Sequence, residues 1–157
     1  MAANERKLIT KNRRARHKYE VLETFEAGLS LLGTEIKSIR ASEVTIGEAH
    51  VRLEGGEAFL LNAHIQPYSQ ATHFNHDPVR ARKLLLHQRE LEHLRSRVEE
   101  KGLTIVPLSI YLSRGRAKLK IGLCRGKRLH DRRETERRRD EERDAAREMA
   151  RHQRRSH

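Results

Sequence analysis

The chain has 157 residues and a formal net charge of +12, from 34 Lys or Arg and 22 Asp or Glu side chains. This length suits one domain with an appendage. The positive charge favours polyanionic partners, and nucleic-acid phosphate backbones are the commonest of these, with anionic membranes second. No apolar run approaches the ~18 residues that span a bilayer, and no secretory signal is recognisable. The single cysteine, Cys124, allows no internal disulfide, so a cytoplasmic location is expected.

Aromatic side chains are scarce, with three Tyr, three Phe and no Trp. This scarcity argues against the aromatic stacking platforms of many single-strand binders. Shape and phosphate contacts are therefore the predicted terms of recognition.

Residues 1–11 are predicted to form a flexible basic N-terminus. The basic cluster that follows runs directly into a predicted half-buried strand, residues 19–27. Because this cluster abuts ordered structure, it can be aimed at a phosphate backbone, although a merely solvated arm would have the same composition. The candidate phosphate-binding residues are Asn12, Arg13, Arg14, Arg16 and His17.

Residues 31–40 predict the end of an apolar segment, a turn at Gly33, an N-cap at Thr34 and one or two helical turns. Glu35 is the unusual member, since it is an acidic side chain in a strongly basic chain. One interpretation is a surface ion pair, or an acid favoured near a helix N-terminus. The other is an acceptor for a base edge or a ribose hydroxyl.

The middle of the chain predicts a hairpin and then a loop. Residues 49–53 and 57–61 alternate around Gly55-Gly56, which indicates a tight hairpin, and residues 62–66 continue as a strand. Residues 69–78 are predicted to be a solvated polar loop. Its His73, His76 and Asp77 make at best an incomplete metal site, because no thiolate is near.

Three consecutive leucines, residues 84–86, follow Arg82 and Lys83. Side chains in a row cannot all face one way, so at least one leucine should lie outside the main core or touch a partner. A helix over residues 88–100 should follow, with its C-terminus at Gly102.

Two long β segments complete the predicted body. Residues 103–112 change phase at Pro107, which indicates a bulge or an edge position. Residues 117–123 alternate, so Lys118 and Lys120 share one solvent face and are candidate phosphate contacts. Residues 12–125 thus predict about six antiparallel strands in an OB-like small β-barrel with two to three peripheral helices, because closure removes exposed edges.

Residues 126–157 form a tail of different composition, with 12 Lys or Arg and 8 Asp or Glu. Leu129 and Met149 are its only sizeable apolar side chains, so it has no core to bury. Acids recur three or four residues from bases, which favours a helix without tertiary support. We expect this tail to be disordered when free and helical on a charged surface.

Taken together, the motifs resemble the SmpB (small protein B) family of tmRNA-binding proteins. The resemblance covers nearly the whole chain, in the family's order: residues 12–17, 26–28, 33–38, 82–87, 106–108, 120–123 and 126–133. It implies an OB-like barrel that binds the tRNA-like domain of tmRNA in trans-translation. With elongation factor Tu, such a protein escorts tmRNA to ribosomes stalled without a stop codon, where SsrA tagging follows.

The resemblance also implies roles for particular residues. The body replaces the missing anticodon arm, and the tail becomes a helix in the empty mRNA channel near the small-subunit decoding centre. The implied tmRNA-binding residues are the basic cluster named above and Glu35, Lys37, Arg82, Lys83, Leu85, His87, Lys118 and Lys120. The implied tail contacts are Lys127, Arg128, His130, Arg132, Arg133 and Met149. No catalytic residue, metal or cofactor is implied, and a monomer is expected.

The chain departs from the family's pattern in three places. Arg128, Arg132 and Arg133 stand where lysines are common, Glu148 is an acid beside Met149, and His87 occupies a position where Asn also occurs.

Two other functional classes are less favoured by the sequence. A generic RNA-binding or ribosomal protein with an OB-like core is the alternative, whereas an enzyme would need paired carboxylates or a nucleophile–base pair that the sequence does not offer. A membrane-surface helix in the tail is disfavoured, since its apolar face is too small.

Overall fold

The computed structural model describes residues 6–127 and 129–155, and it divides the chain into two compact units, Met1–Gly126 and Lys127–His157. The first unit contains nine strands and three helices within its described residues. In chain order they are β1 (Arg6–Lys11), α1 (Ala15–Lys18), β2 (Tyr19–Leu29), α2 (Gly33–Arg40), β3 (Val44–Thr45), β4 (His50–Glu54), β5 (Glu57–Leu61), β6 (His64–Ile65), β7 (Arg82–Leu85), α3 (Gln88–Lys101), β8 (Thr104–Ser113) and β9 (Arg116–Gly126).

Seven strands form one antiparallel sheet in the order β1-β8-β9-β2-β7-β5-β4, and β3 pairs with β6 separately. The predicted mainly β fold is confirmed, with more strands than the six expected. Within the described residues the hydrogen-bonded ladder does not close between β1 and β4. The sheet therefore approaches a barrel without a continuous ring of strand pairs.

One face of the sheet carries the hydrophobic core. Ala27 on β2 lies opposite Leu119 on β9, and both are fully buried. Ile39 of α2 and Leu94 of α3 are also fully buried and pack into the same cluster. These two helices thus cover the core face, as the peripheral helices of the prediction required.

Several local predictions are confirmed. The hairpin β4–β5 turns at Gly55 and Gly56, both with positive φ. Helix α3 ends at Gly102, whose φ of 63° lies in the left-handed region. The pairing of β8 with β9 shifts register between Pro107 and Ser109, which is the bulge that the phase change at the proline predicted.

The N-terminal boundary differs from the prediction. Arg6–Lys11, expected within a flexible N-terminus, form β1 and pair with the end of β8, starting at Arg6 opposite Ser113. Ile9 packs against the core, so this basic segment has an apolar side chain to bury. The strand predicted over residues 19–27 extends to Leu29, so Gly28 lies inside β2.

The second unit consists of one helix, α4, at Leu129–Arg155. The helical conformation that was expected of this tail on a charged surface is the one that the structure contains. No Gly or Pro interrupts it, and ion pairs one turn apart support it, such as Arg137–Glu141 at 3.9 Å and Arg147–Asp144 at 3.9 Å. Side chains at residues 137–151 are exposed all round, so local interactions stabilise the helix there.

Gly122 on β9 marks a tightly packed place on the other face of the sheet. A Cβ atom there would lie 3.0 Å from Leu108 Cδ1, 3.1 Å from Cys124 Sγ and 3.2 Å from Val21 Cγ1. These neighbours belong to a second apolar cluster around Ala15 of α1. Burial raises the pKa of the Cys124 thiol to about 11, so it remains protonated at neutral pH.

We predict that Gly122→Ala lowers the free energy of unfolding by about 1–3 kcal/mol, because the added methyl overpacks this cluster. Chemical denaturation followed by circular dichroism measures the change. Gly126→Ala on the same strand is the matched control, since its Cβ would meet no atom within 4 Å. Equal unfolding curves for the two variants would contradict the packing described.

Candidate nucleic-acid interface

A row of residues crosses three adjacent strands on the sheet face opposite the core. Gly28 on β2 lies opposite Leu85 on β7 and opposite Lys118 on β9. Gly28 leaves room for its neighbour, since a Cβ atom there would lie 3.2 Å from Leu85 Cβ. Leu85 therefore packs against the backbone of Gly28 and is still 54% exposed.

The leucine triplet divides as its position predicted. Leu84 is buried in the core, Leu86 is partly buried against it, and Leu85 points outward. Leu85 lies in a groove of about 770 Å³, which the β4–β5 turn, the start of α3 and Lys118 also line. An exposed leucine in a groove with a basic side chain offers both an apolar contact and a phosphate contact.

The rim of this groove carries polar side chains that remain accessible. His87 is exposed at the N-cap of α3, where its backbone N–H donates to Glu90 Oε1 at 3.1 Å and its ring makes no capping bond. Lys83 is half-exposed and pairs with Glu57 at 2.9 Å. These groups can exchange such surface contacts for a ligand at small cost.

The face continues toward β1 past Lys118 and Lys120. Lys120 lies opposite Glu26, and the Tyr111 hydroxyl donates a hydrogen bond to the Glu26 carboxylate. Burial, together with Glu26, raises the pKa of Tyr111 to about 12, so the phenol stays neutral. Arg6 lies 5.3 Å from the Tyr111 ring centroid and 3.6 Å from Glu26, which places another cation on this face.

Glu35 does not belong to the accessible surface. Its side chain is 0% exposed, and its carboxylate accepts four hydrogen bonds. Arg82 Nε donates to Oε2 at 2.6 Å, Arg80 donates to both oxygens at 2.6 Å and 3.3 Å, and the Leu32 backbone N–H donates to Oε1 at 2.8 Å. Glu35 is therefore an ion-paired acid at a helix N-terminus, as the first interpretation expected, but the pair is buried and does not lie on the surface. The expected hydrogen bond from this side chain to RNA is not available in this conformation.

Burial alone would raise the pKa of Glu35, but the hydrogen bonds from Arg80, Leu32 and Arg82 outweigh it and lower the pKa below its usual range. The Leu32 contact also satisfies a donor at the start of α2, so Leu32 is the N-cap in place of the expected Thr34. Glu35 thus fixes the start of a helix and is the shared ion-pair partner of Arg80 and Arg82.

Arg82 was also expected to touch RNA, and it is instead fully buried. Besides its bond to Glu35, it donates to the Ala63 carbonyl at 2.8 Å and to the Pro78 carbonyl at 3.1 Å. Arg82 shares its strand phase with Leu84, so β7 turns both side chains inward. Lys83 and Leu85 consequently share the outward phase.

The N-terminal basic cluster is partly structural. Asn12 is buried, and its Nδ2 donates to the Pro107 carbonyl at 2.9 Å beside the bulge of β8, so this side chain is not offered to RNA. Arg13, Arg14 and Arg16 are exposed, with Arg14 paired to Glu48 at 2.5 Å, and His17 is half-buried.

Residues 9–151 match the family model described as SmpB protein. The chain belongs to the SmpB family. It is 56% identical over 146 residues to the SsrA-binding protein of Microcystis aeruginosa, covering 92% of this chain and 95% of that protein. It is 50% identical over 133 residues to the SsrA-binding protein of Ligilactobacillus salivarius, covering 85% and 86% of the two chains.

A solved structure also resembles this SmpB-family chain. It is described as "tmRNA-SmpB: a journey to the center of the bacterial ribosome", with a TM-score of 0.64 and 52% sequence identity over 82% of this chain and 94% of that one. The likeness confirms the predicted OB-like fold. The open ladder between β1 and β4 is therefore compatible with the SmpB fold.

The tail residues expected from the SmpB resemblance lie mostly on α4. His130, Arg132 and Arg133 have helical backbone, and Met149 is 67% exposed beside the exposed Glu148. Lys127 lies two residues before the first residue of α4, and Arg128 lies outside the described residues. These residues belong to the second unit of the chain, Lys127–His157, whereas the groove residues belong to the first.

The structural roles of two residues, the partly buried Arg80 and the buried His76, were not predicted. Arg80 shares the Glu35 carboxylate, and the spacing of Arg80 and Arg82 by two, next to inward-facing leucines, was the available signal. His76, placed in a solvated loop, is buried, with its ring 2.9 Å from Thr34 Oγ1 and 2.9 Å from the Ile65 carbonyl. No sequence pattern indicated that the His76 ring would be buried and bonded in this way.

Two absences apply to residues 6–127 and 129–155. No group of three or more His, Cys, Asp or Glu side chains there is arranged to hold a metal ion. No helix in the same ranges combines the length and hydrophobicity needed to cross a membrane.

We predict that Glu35→Gln lowers the free energy of unfolding by roughly 3–5 kcal/mol at neutral pH, because it leaves Arg82 buried without a counter-charge. Denaturant titration measures the loss. Glu48→Gln is the control, since Glu48 is 79% exposed in its pair with Arg14 and should change little. A loss of RNA binding without a loss of stability in Glu35→Gln would contradict the internal role.

The difference in unfolding free energy between wild type and Glu35→Gln should depend on pH. The folded-state pKa of Glu35 is below its ordinary value of 4.5, so its stabilisation is complete above that value and is lost as the pH falls through it toward the folded-state pKa. The stability difference between wild type and Glu35→Gln should therefore be constant near neutrality and shrink in acid. A difference that grew on acidification would contradict the sign.

Proposed function

We propose that this chain binds the tRNA-like domain of tmRNA and delivers tmRNA to ribosomes stalled without a stop codon. The observation that carries the proposal is the groove at Leu85 and Lys118, in a chain of the SmpB family whose relatives are named SsrA-binding proteins. The solved tmRNA-SmpB structure supports the same partners, tmRNA and the ribosome. In this role the chain acts by binding, and no catalytic step is assigned to it.

Each groove residue has a distinct task in this proposal. Leu85 packs against an unstacked base or a ribose, because its side chain is apolar, supported by Gly28 and exposed. Lys118, Lys120 and Lys83 place positive charge on the same face for phosphates. His87 offers a ring nitrogen as donor or acceptor at the groove rim.

Other exposed cations extend the binding surface. Arg13, Arg14 and Arg16 on and before α1 and Lys37 on α2 reach phosphates outside the groove. Glu35, Arg82 and Asn12 contribute by holding β7, α2 and the β8 bulge in place. The proposal thus separates residues that touch RNA from residues that position them.

The tail has a different task. We propose that α4 enters the vacant mRNA channel while the body takes the place of the missing anticodon arm. His130 would stack on a decoding-centre base, and Lys127, Arg128, Arg132 and Arg133 would pair with ribosomal RNA phosphates. Met149 supplies an apolar contact farther along the helix. Elongation factor Tu accompanies the complex, and the protein acts as a monomer in the cytoplasm.

The experiment that tests this function is competitive binding to the isolated tRNA-like domain of tmRNA, with a structured RNA of equal length as competitor. At about 200 mM salt, nonspecific phosphate binding is strongly weakened. We expect the tRNA-like domain to remain bound when the competitor is in excess. Equal displacement by both RNAs would leave a generic basic RNA-binding protein and overturn the proposal.

Two groove variants refine this test. Leu85→Ala should weaken binding about tenfold without changing its salt dependence, since it removes an apolar contact. Lys118→Ala should weaken binding and reduce the slope of log K against log salt by about 0.7–0.9, the value for one phosphate contact. The matched controls are Leu22→Ala, 45% exposed on β2, and Lys101→Ala on α3, because neither side chain lines the groove. Controls as weak as the groove variants would argue against this site.

Truncation after Gly126 tests the division between body and tail. Binding to the tRNA-like domain should stay within about twofold, because the core residues and the whole sheet lie in Met1–Gly126. Tagging of nascent chains on stalled ribosomes should be lost, since the channel-binding helix is absent. Reconstituted translation of a message without a stop codon measures the second readout. Equal loss of both activities would contradict the division.

A further inference from the structure

Phe74 is an exposed aromatic side chain, whereas the other Tyr and Phe side chains of the chain are buried or partly buried. It is 64% exposed and lies in the loop between β6 and β7, residues 66–81. All six aromatic residues lie among the described residues. Four are partly buried and Tyr111 is buried, so Phe74 alone belongs to the exposed class. It does not line the groove.

The loop holds Phe74 in a defined place by hydrogen bonds of the adjacent Asn75. The Asn75 side chain accepts from the Tyr68 backbone N–H at 3.0 Å and from the His76 N–H at 3.1 Å. It also donates to the Tyr68 carbonyl at 2.9 Å. These bonds join the two sides of the loop, Tyr68 and Asn75, at the residue next to Phe74 in sequence.

The next residues anchor the loop to the body. The buried His76 ring contacts Thr34 of α2 and the Ile65 carbonyl of β6, as described above. The Asp77 and Pro78 carbonyls accept hydrogen bonds from Arg82, at 3.3 Å and 3.1 Å. A ring on such a pre-organised support loses little conformational entropy when it binds a ligand.

The charge around this ring favours a nucleic acid. The exposed His73 directly precedes Phe74, and the one acid of this loop, Asp77, accepts a hydrogen bond from the Val79 N–H at 2.9 Å. Lys37 of α2 lies 5.5 Å from the ring centroid of Tyr68 in the same loop. An exposed flat ring on a loop that also contacts a lysine suits the face of an unpaired base, whose phosphates the lysine attracts.

We propose that Phe74 stacks on an unpaired RNA base and forms a contact point outside the groove. The proposal rests on the proposed function, since it assigns RNA as the ligand of the same body. The base belongs either to the tRNA-like domain of tmRNA or to ribosomal RNA, and the stacking chemistry is the same for both.

Four variants of Phe74 and its loop test the stacking role. Phe74→Ala removes the side chain, Phe74→Leu keeps apolar area without a flat ring, and Phe74→Trp restores a ring. Val79→Ala is the matched control, since Val79 is 51% exposed in the same loop. The affinities of full-length proteins are measured separately for the isolated tRNA-like domain and for ribosomes with an empty mRNA channel.

For whichever RNA supplies the base, the tRNA-like domain or ribosomal RNA, Phe74→Ala and Phe74→Leu should both weaken binding about tenfold, the scale of one base–aromatic stack. Phe74→Trp and Val79→Ala should bind like wild type. Because the chain has no other Trp, fluorescence of Phe74→Trp reports the contact directly, and quenching by one RNA identifies the source of the base.

Three results would overturn the proposal. If Phe74→Leu kept its affinity while Phe74→Ala lost it, the contact would need only an apolar side chain. Phe74 would then pack against an apolar surface, such as that of a protein, and would not stack on a base. Unchanged affinity of Phe74→Ala in both arms, while wild type still prefers the tRNA-like domain, would remove the stacking role and leave the proposed function intact. Absence of that preference in wild type would instead refute the proposed function first.

Discussion

The carboxylate of Glu35 is the interaction on which the arrangement of the body depends. It joins the start of α2 to a segment 45 to 47 residues later in the chain, where Arg80 ends the loop before β7 and Arg82 begins β7. Two arginines share this one carboxylate, and carbonyls of Ser30, Ala63 and Pro78 take up their other donors. Breaking a buried pair costs more than replacing it with apolar side chains, because the remaining charge stays desolvated.

This cluster determines which residues face a ligand. With Arg82 directed inward beside Leu84, the strand alternation of β7 presents Lys83 and Leu85 outward. Gly28 on the neighbouring strand then leaves space for Leu85, and Lys118 completes the row from β9. The accessible surface therefore depends on charges that never reach it, which is why a substitution at Glu35 can impair RNA binding without any direct contact.

Much of the fold could be predicted from the sequence because it follows from short-range patterns. Alternation identified the hairpin β4–β5 and the long strand β9, and the phase change at Pro107 located the bulge. The inward path of Arg82 could have been predicted from its phase with Leu84, but the usual surface preference of arginine outweighed that signal. The pairing of β1 could not be predicted, because its partner β8 lies about a hundred residues away.

The order of strand pairing has a consequence for synthesis of this protein. Strands β1 and β2 are made first, yet they pair with β8 and β9, which are made last. Contacts between such distant segments form slowly and late. A nascent chain released before β9 would lack the strand that joins the β1–β8 pair to β2 and the rest of the sheet. Its core would stay exposed, so premature termination yields no partly folded body.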